Sequence, residues 1–567
     1  MDTYAASLTA VSAPLLIVQG VPPELRPSST LQRRPRTTTT STTTDEIHTY
    51  GVQIPIEREL EDISSDNPCL PTLLQTLERC NVRDQVWWQG QNQNVTSKSG
   101  NSSATYKGMW FNIKYADHSK SPEVIVKGSN STLSPYDEKS QFYDTLLPLQ
   151  WISKYYDYSP TVFLSFYEVN SDASCDDVLI SEINRIKLRF SNTMIKYVAV
   201  LINTNVNGNN STQNERIQTL LTRINMNANS LFLINGGRDD ASKREQMTFM
   251  RKLLVGLKQY SNDFFDLQAS KLKKRGIKSD QYSEMLFSAR NLVKMAFFEQ
   301  FKGVTDYSTK LLEYAYDRLL QVLRSQAEAQ AQSQSQLPAQ SKTKVKEMYS
   351  QTRGWLDVIC LHIVRSCIAL GDCNVAYRKF IFHVEKAQEL DKENVTANWI
   401  ANQYTWLAEL VEGIVHTQIQ GQGTATDLNI VPLDWVLMPT LGDNGVATVG
   451  VGAAVAGATG AKFNSFNMPQ NGFIFVQAAT WRARALQECD GEDNRILLLN
   501  GALDAFNAAS NTRFARIESS VYILLGDVYF QKRHLSMAVN NYYAGLSVYR
   551  QEGWMRVVSV VLRKILD

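Results

Sequence analysis

The sequence predicts an α/β amino-terminal domain with a mostly parallel sheet, followed by an all-α tetratricopeptide-like helical solenoid. Three observations carry this reading. Up to about residue 240, short apolar runs of strand length alternate with helical patterns. From about residue 243 the apolar period becomes helical and stays so to the end. Near the carboxy terminus, "VYILLGDVYFQKRHLSMAVNNYYAGLSVYRQEGW" (521–554) carries the small-residue spacing of a two-helix repeat.

The elements follow in chain order. "PLLIVQG", ending at Gly20, is an apolar run of strand length. An acid stands at position 2, where a secretory signal is basic, and the run is short, so it reads as a strand and not as a signal peptide. "MWFNIKY" (109–115) supplies a further strand. "TVFLSFYEV" (161–169) follows Pro160 and is rich in β-branched and aromatic residues. In "CDDVLISEINRIKLRF" (175–190), Leu179, Ile183, Ile186 and Phe190 are spaced by four, three and four, one face of a helix. "IKYVAVLIN" (195–203), the helix "ERIQTLLTRINMN" and the strand "SLFLIN" (230–235) complete the alternation. Strands alternating with helices imply right-handed crossovers and a parallel sheet. Residues 10–240 are thus expected to form one α/β domain, and residues 243–567 the helical solenoid.

Three segments lack the apolar area that offsets the entropy of ordering a chain. They are "PSSTLQRRPRTTTTSTTTDE" (27–46), "SQAEAQAQSQSQLPAQSKT" (325–343) and "GDNGVATVGVGAAVAGATGAK" (442–462). All three are expected to be mobile insertions, the first in the α/β domain and the others in the solenoid.

The repeat reading rests on named positions. Tyr522, Leu525, Gly526 and Tyr529 fit W-x2-L-G-x2-Y with Tyr first, and Ala538 and Tyr542 fit A-x3-F. Gly526 and Ala538 are expected where the two helices of a hairpin touch, facing each other, and Gly545 where the second helix meets the next repeat. Arg550 stands where a proline often closes such a unit. Ala296, Ser308 and Ala315 show the same separations of 12 and 7. Around residues 360–383 the fit weakens: Ala376 and Phe380 match, while Val364 and His383 are bulky. "NWIANQYTWLAELVEG" and "NGFIFVQAATWRARALQEC" form one more hairpin, split by the glycine-rich segment. Stacked repeats of this kind make a curved solenoid that presents surface to partners.

No catalytic constellation emerges. "GVGAAVAG" (450–457) has Val455 where a dinucleotide fingerprint needs its third glycine, and no strand precedes it. "NGGRDD" (235–240) follows a strand but lacks the lysine and glycine spacing of a phosphate loop, so Gly236 and Gly237 are not expected to bind nucleotide. Cys360, Cys367 and Cys373, with His362 between them, miss the spacing of zinc sites and read as core. Asp176, Asp177, Asp239 and Asp240 lie at helix starts, where acids favour the macrodipole. No catalytic, cofactor-binding or metal-binding residue is therefore assigned, no cofactor is expected, and the binding residues stay unknown. A net charge of +2 gives no reason to expect nucleic acid, and no apolar stretch is long enough to span a membrane. Seven cysteines, few and odd in number, fit a reducing compartment. The sequons at Asn94, Asn101, Asn130, Asn210 and Asn394 read as chance matches in a soluble, cytosolic protein.

"SARNLVKMAFFEQFKGVTDYSTKLLEYAYDRLL" resembles the diagnostic segment of the foie gras domain, found in subunit eleven of the transport protein particle (TRAPP) tethering complexes. "SPTVFLSFYEV", "IKYVAVLIN", "YRKFIFHVEKA", "NQYTWLAELVEG", "GFIFVQAATWRARAL" and "YRQEGWMRVVSVVLRKIL" agree in order, covering most of the chain from about residue 12. These motifs are aromatic and small-residue packing signals, so they identify a family and not a site. The resemblance implies a non-catalytic peripheral subunit that helps a core complex act as exchange factor for a Rab GTPase, in traffic from endoplasmic reticulum to Golgi and in autophagy. It implies other TRAPP subunits as direct partners, a Rab GTPase as an indirect one, and peripheral association with Golgi and intermediate membranes through the complex. The competing reading is a stand-alone adaptor that binds peptides of partner proteins. Members of the family run on into β-rich carboxy-terminal domains. This chain stops at Asp567 directly after a helical pattern, so a chain lacking that part is expected.

Overall fold

The computed structural model describes residues 6–22, 25, 52–53, 63–64, 67–83, 110–116, 123–124, 146–149, 151–169, 172–203, 211–237, 240–274, 284–303, 305–333, 339–370, 372–390, 396–420, 474, 476–479, 491–508 and 515–566. The expected insertions at 27–46 and 442–462, the five sequons, Asp239 and the glycine loop 450–457 lie outside the described residues.

Five strands appear where the apolar runs place them: β1 (Leu15–Gln19), β2 (Asn112–Tyr115), β3 (Val162–Val169), β4 (Lys196–Asn203) and β5 (Leu231–Asn235). They form one all-parallel sheet in the order β2-β1-β3-β4-β5. A two-residue antiparallel pair, Val52–Gln53 with Glu123–Val124, stands apart. Side chains alternate across a strand, so each strand feeds two cores. On one face Leu16, Val18, Leu164, Phe166, Val198 and Val200 pack with Leu70, Leu73 and Leu77 of α1 (Leu70–Cys80) and Met250, Leu253 and Leu257 of α4 (Asp240–Lys273). On the other, Leu15, Ile17, Phe163, Ala199 and Leu201 meet Leu179, Ile183, Ile186 and Phe190 of α2 (Asp176–Phe190) and Leu220 and Ile224 of α3 (Ser211–Ile224). The four residues picked out on α2 by spacing alone are all buried. Asp176 and Asp177 do open that helix, and both also pair with α3, through Arg216 and Arg223 at 2.7 Å each.

After β5 every described element is helical. The elements are α5 (Glu284–Lys302), α6 (Thr305–Ser333), α7 (Ala339–Ala369), α8 (Cys373–Leu390), α9 (Ala397–Gln420), α10 (Gly491–Ala508), α11 (Ala515–Gln531), α12 (Leu535–Gln551) and α13 (Met555–Leu566). The chain divides into two compact units, 2–359 and 360–567, with the division inside α7. Aromatic packing explains why the first unit reaches past the sheet. Trp151 lies against Phe297, Phe298 and Trp355 at ring distances of 5.8–6.5 Å. Trp355 Nε1 donates to the Leu147 carbonyl at 2.8 Å, and the Leu147 amide donates to Gln351 Oε1 at 3.2 Å.

The segment 325–343 departs from expectation. Residues 325–333 continue α6, with Gln326 buried, and α7 begins at Ala339. Ala and Gln are good helix formers, and extending a helix already nucleated adds one hydrogen bond per residue fixed. The low apolar content read as an unstructured insertion was outweighed by that propensity.

Candidate interaction surface

A doubly wound sheet of this order takes ligands at the carboxyl ends of its strands where the order reverses, here between β1 and β3. There the two strands run close together. Gly20, directly after β1, has φ +88°, and a Cβ added there would lie 2.2 Å from the Phe166 carbonyl oxygen of β3. Gln19 and Ser165 are buried, and Ser165 Oγ donates to Gln19 Oε1 at 3.2 Å. Ser64 and Cys69 bond to neighbouring strand ends. The Ser64 amide donates to Glu168 Oε2 at 3.0 Å, and Cys69 Sγ donates to the Asn235 carbonyl at 3.6 Å. Buried Asn67 accepts the Cys69 amide at 3.0 Å. In "NGGRDD" the Gly236 amide donates to the Asn203 carbonyl at 2.7 Å, and Gln246 Nε2 donates to the Gly237 carbonyl at 3.2 Å. Those two backbone groups are bonded within the fold. Burial pushes the thiols of Cys69 and Cys80 up to about 11 and about 12, so both stay protonated and unreactive near neutrality.

Cys360 and Cys367 are buried on α7, as their spacing suggests, while the side chain of Cys373 lies outside the described residues. Val364, Ala376, Phe380 and His383 are buried too. Cys360 lines a small apolar gap with Val364, Phe380, Trp406 and Leu407. His362 Nδ1 accepts from Arg365 Nη2 at 2.7 Å, and burial holds the Arg365 guanidinium down to about 9. Among the described residues no three metal-ligating side chains come together.

The hairpin α11–α12 is built on the small residues that the sequence singled out, with two corrections. A Cβ on Gly526 would lie 2.5 Å from the Tyr542 ring, so the group facing Gly526 is Tyr542 and not Ala538. Ala538 is buried one turn away, in a cluster with Tyr542, Leu546, Tyr549, Val558 and Val561. Gly545 does not face a following repeat. Its added Cβ would meet the Ser519 carbonyl at 2.7 Å and Ile523 at 2.8 Å, both on α11 of the same hairpin. Both glycines therefore bring α12 close to α11. Polar ties then fix α13. Tyr542 Oη donates to Asp527 Oδ1 at 2.7 Å, and Lys564 Nζ donates to both Asp527 oxygens at 2.7 and 2.8 Å. Burial, with the Asp527 carboxylate beside it, holds the Tyr542 phenol well above its ordinary range. At the other end Tyr549 Oη donates to the Arg516 carbonyl at 2.9 Å, and the Arg516 guanidinium lies over the Trp554 ring at 5.3 Å. On α5 and α6, Ala296, Ser308 and Ala315 are all fully buried, which is what contact positions between packed helices require.

Sequence reasoning missed α1 and the segment before it. The signal was present: Pro71 inside the first helical turn, then Leu70, Leu73, Leu74 and Leu77 at helical spacing. Nothing in the pattern said that Ser64 and Cys69 would bond to the ends of β3 and β5.

Fold and surface together define a class: a doubly wound domain followed by helical hairpins packed through small residues. The family model described as the Trafficking protein particle complex subunit 11 N-terminal domain matches residues 1–243, and that of Foie gras liver health family 1 matches residues 349–442. The chain belongs to this family of foie gras proteins related to TRAPP subunit eleven. The segment 288–320, which carried much of the resemblance, lies between the two matches. Among curated proteins none matches the chain.

Proposed function

We propose that this chain is a non-catalytic scaffold subunit of a TRAPP-type tethering complex, whose core exchanges nucleotide on a Rab GTPase. One observation carries the reading: two family models of TRAPP subunit eleven and the foie gras region match the chain in order, residues 1–243 and then 349–442. The strand ends support the non-catalytic part, because Ser64 and Cys69 of the chain itself bond to the ends of β3 and β5, and the loop after β5 carries no phosphate-binding glycine spacing. The helical hairpins support the scaffold part, since stacked hairpins offer surface area without chemistry. No described helix is long and apolar enough to cross a membrane. Association with Golgi and intermediate membranes is assigned to the complex. Traffic from endoplasmic reticulum to Golgi, and autophagy, are the processes such a subunit serves.

The test is affinity purification of the full chain, tagged at its native locus, with identification of the proteins that accompany it. Core TRAPP subunits in stoichiometric amounts are expected. Their absence, with the chain running alone at its own mass of 64.0 kDa, would overturn the proposal.

A further inference from the structure

The two edges of the sheet are finished differently. Along β2, the chain leaving α1 seals the edge. The Phe111 amide donates to the Cys80 carbonyl and the Val82 amide to the Phe111 carbonyl, each at 2.9 Å, and the Ile113 amide donates to Asn81 Oδ1 at 3.1 Å. The opposite edge, β5, has no such cover among the described residues.

The register shows which of its backbone groups are open. β5 pairs with β4 from Ala199↔Leu231 to Asn203↔Asn235, with the Ala199 amide on the Ser230 carbonyl and the Gly236 amide on the Asn203 carbonyl. In a parallel ladder this turns the groups of residues 230, 232, 234 and 236 toward β4, and those of Leu231, Leu233 and Asn235 away from the sheet. Two of the outward groups are used locally. The Leu231 amide donates to the Asn227 carbonyl, and the Asn235 carbonyl accepts from Gln246 and Cys69. The Leu231 carbonyl, the Leu233 amide and carbonyl and the Asn235 amide have no partner among the described residues. In order these are acceptor, donor, acceptor, donor, which is the complement of two rungs of an extended chain. "LFLIN" carries no lysine or proline, the residues that usually keep an open edge from pairing. Leu231, Phe232 and Leu233 are each only partly buried. Phe232 meets Phe249 edge-on at 5.8 Å on one face, and Leu231 and Leu233 pack against the buried cluster on the other. An added strand therefore finds apolar surface on both of its faces.

We propose that β5 accepts an extended, apolar segment of a partner polypeptide as a sixth strand of the sheet. Extended chain is required because a helix has used its own backbone groups and has none to offer this row. Two rungs bury too little to hold two free copies of this chain edge to edge, since stable interfaces bury on the order of 1,000 Å² or more. A segment of a subunit already held elsewhere in an assembly needs far less, because tethering raises its effective concentration to roughly millimolar. In this respect the proposal rests on the assembly reading above.

The experiment compares amide hydrogen exchange of the full chain alone with that of the chain inside the purified complex. The Leu233 and Asn235 amides are expected to exchange roughly a hundredfold more slowly in the complex. Leu233→Pro removes an outward amide without touching the β4 ladder, a place where a strand tolerates proline. It is expected to fold, to enter the complex, and to leave Asn235 exchanging as in the free chain. Leu233→Lys keeps the amide but charges the edge, and is expected to reduce the protection as well. A wild-type chain that joins the complex with both amides exchanging as fast as in isolation would sink this proposal alone. A chain that joins no complex would sink the assembly reading and this proposal with it. Protection that appears in the isolated chain at high concentration, together with dimer in sedimentation, would assign the edge to a second copy and overturn the partner strand.

Discussion

Leu164 and Phe163 are neighbours on β3, and each lies in the middle of a different buried cluster, one on either face of the sheet. On α13, Val558 and Val561 are buried while Met555, Val560 and Leu566 are 68%, 55% and 86% exposed. The sheet thus draws stability from two apolar layers, and the terminal hairpin with α13 draws it from one. That single layer depends on close approach at Gly526 and Gly545 and on the polar tie through Asp527. The contrast teaches where each region is fragile. The sheet should be hurt most by lost volume. The hairpin should be hurt most by added volume.

Leu164→Ala gives the largest expected effect. The residue is fully buried, and truncating leucine in a core costs about 2–5 kcal/mol. Amide exchange of the full chain should show β3 and β4 losing that much protection while α11 and α12 keep theirs. An equal loss in both places would break the comparison, because it would mean that the two regions unfold together.

Gly526→Leu comes next. Its Cβ alone would overlap the Tyr542 ring, and overpacking of this kind costs about 1–3 kcal/mol. The loss should appear in α11, α12 and α13 and leave the β3 and β4 amides unchanged. Adding Tyr542→Leu should restore part of it, since the smaller side chain vacates the space. No recovery in the double variant would show that something other than the ring sets the limit at Gly526.

The sequence was legible where one period dominates. Largely apolar runs marked β1, β3, β4 and β5, because strands covered on both faces favour apolar residues, while β2 at the edge carries Asn112 and Lys114. The buried stripe of α2 could be read at steps of four, three and four for the same reason. What stayed hidden was set by tertiary geometry. The spacing of Gly526 and Ala538 says that two helices approach closely, but it does not say which side chain fills the gap, and Tyr542 does. Strand order, and with it the open edge at β5, depends on which strands pair, and no local pattern records that. The Gln/Ser/Ala tract was misread because composition was weighed as burial when propensity decided the outcome.

The smallest expected effect concerns the tie that holds α13. Lys564 and Asp527 form an ion pair with side chains 39% and 27% exposed, so water screens much of the attraction. Exposed pairs of this kind contribute about 0.2–1 kcal/mol. Asp527 also accepts from Tyr542, so the carboxylate keeps one partner when the lysine is gone. Lys564→Met should therefore lower the protection of α13 by less than about 1 kcal/mol, and less still at high salt. Tyr542→Phe should cost more, about 1 kcal/mol, because the bond it removes lies nearer the core and leaves Asp527 to the exposed lysine alone. In the double variant the carboxylate loses both partners, so the two effects should not add. Simple additivity, measured by exchange on α13, would mean that Asp527 is satisfied by water and that the apolar contacts of Val558 and Val561 hold the helix without help.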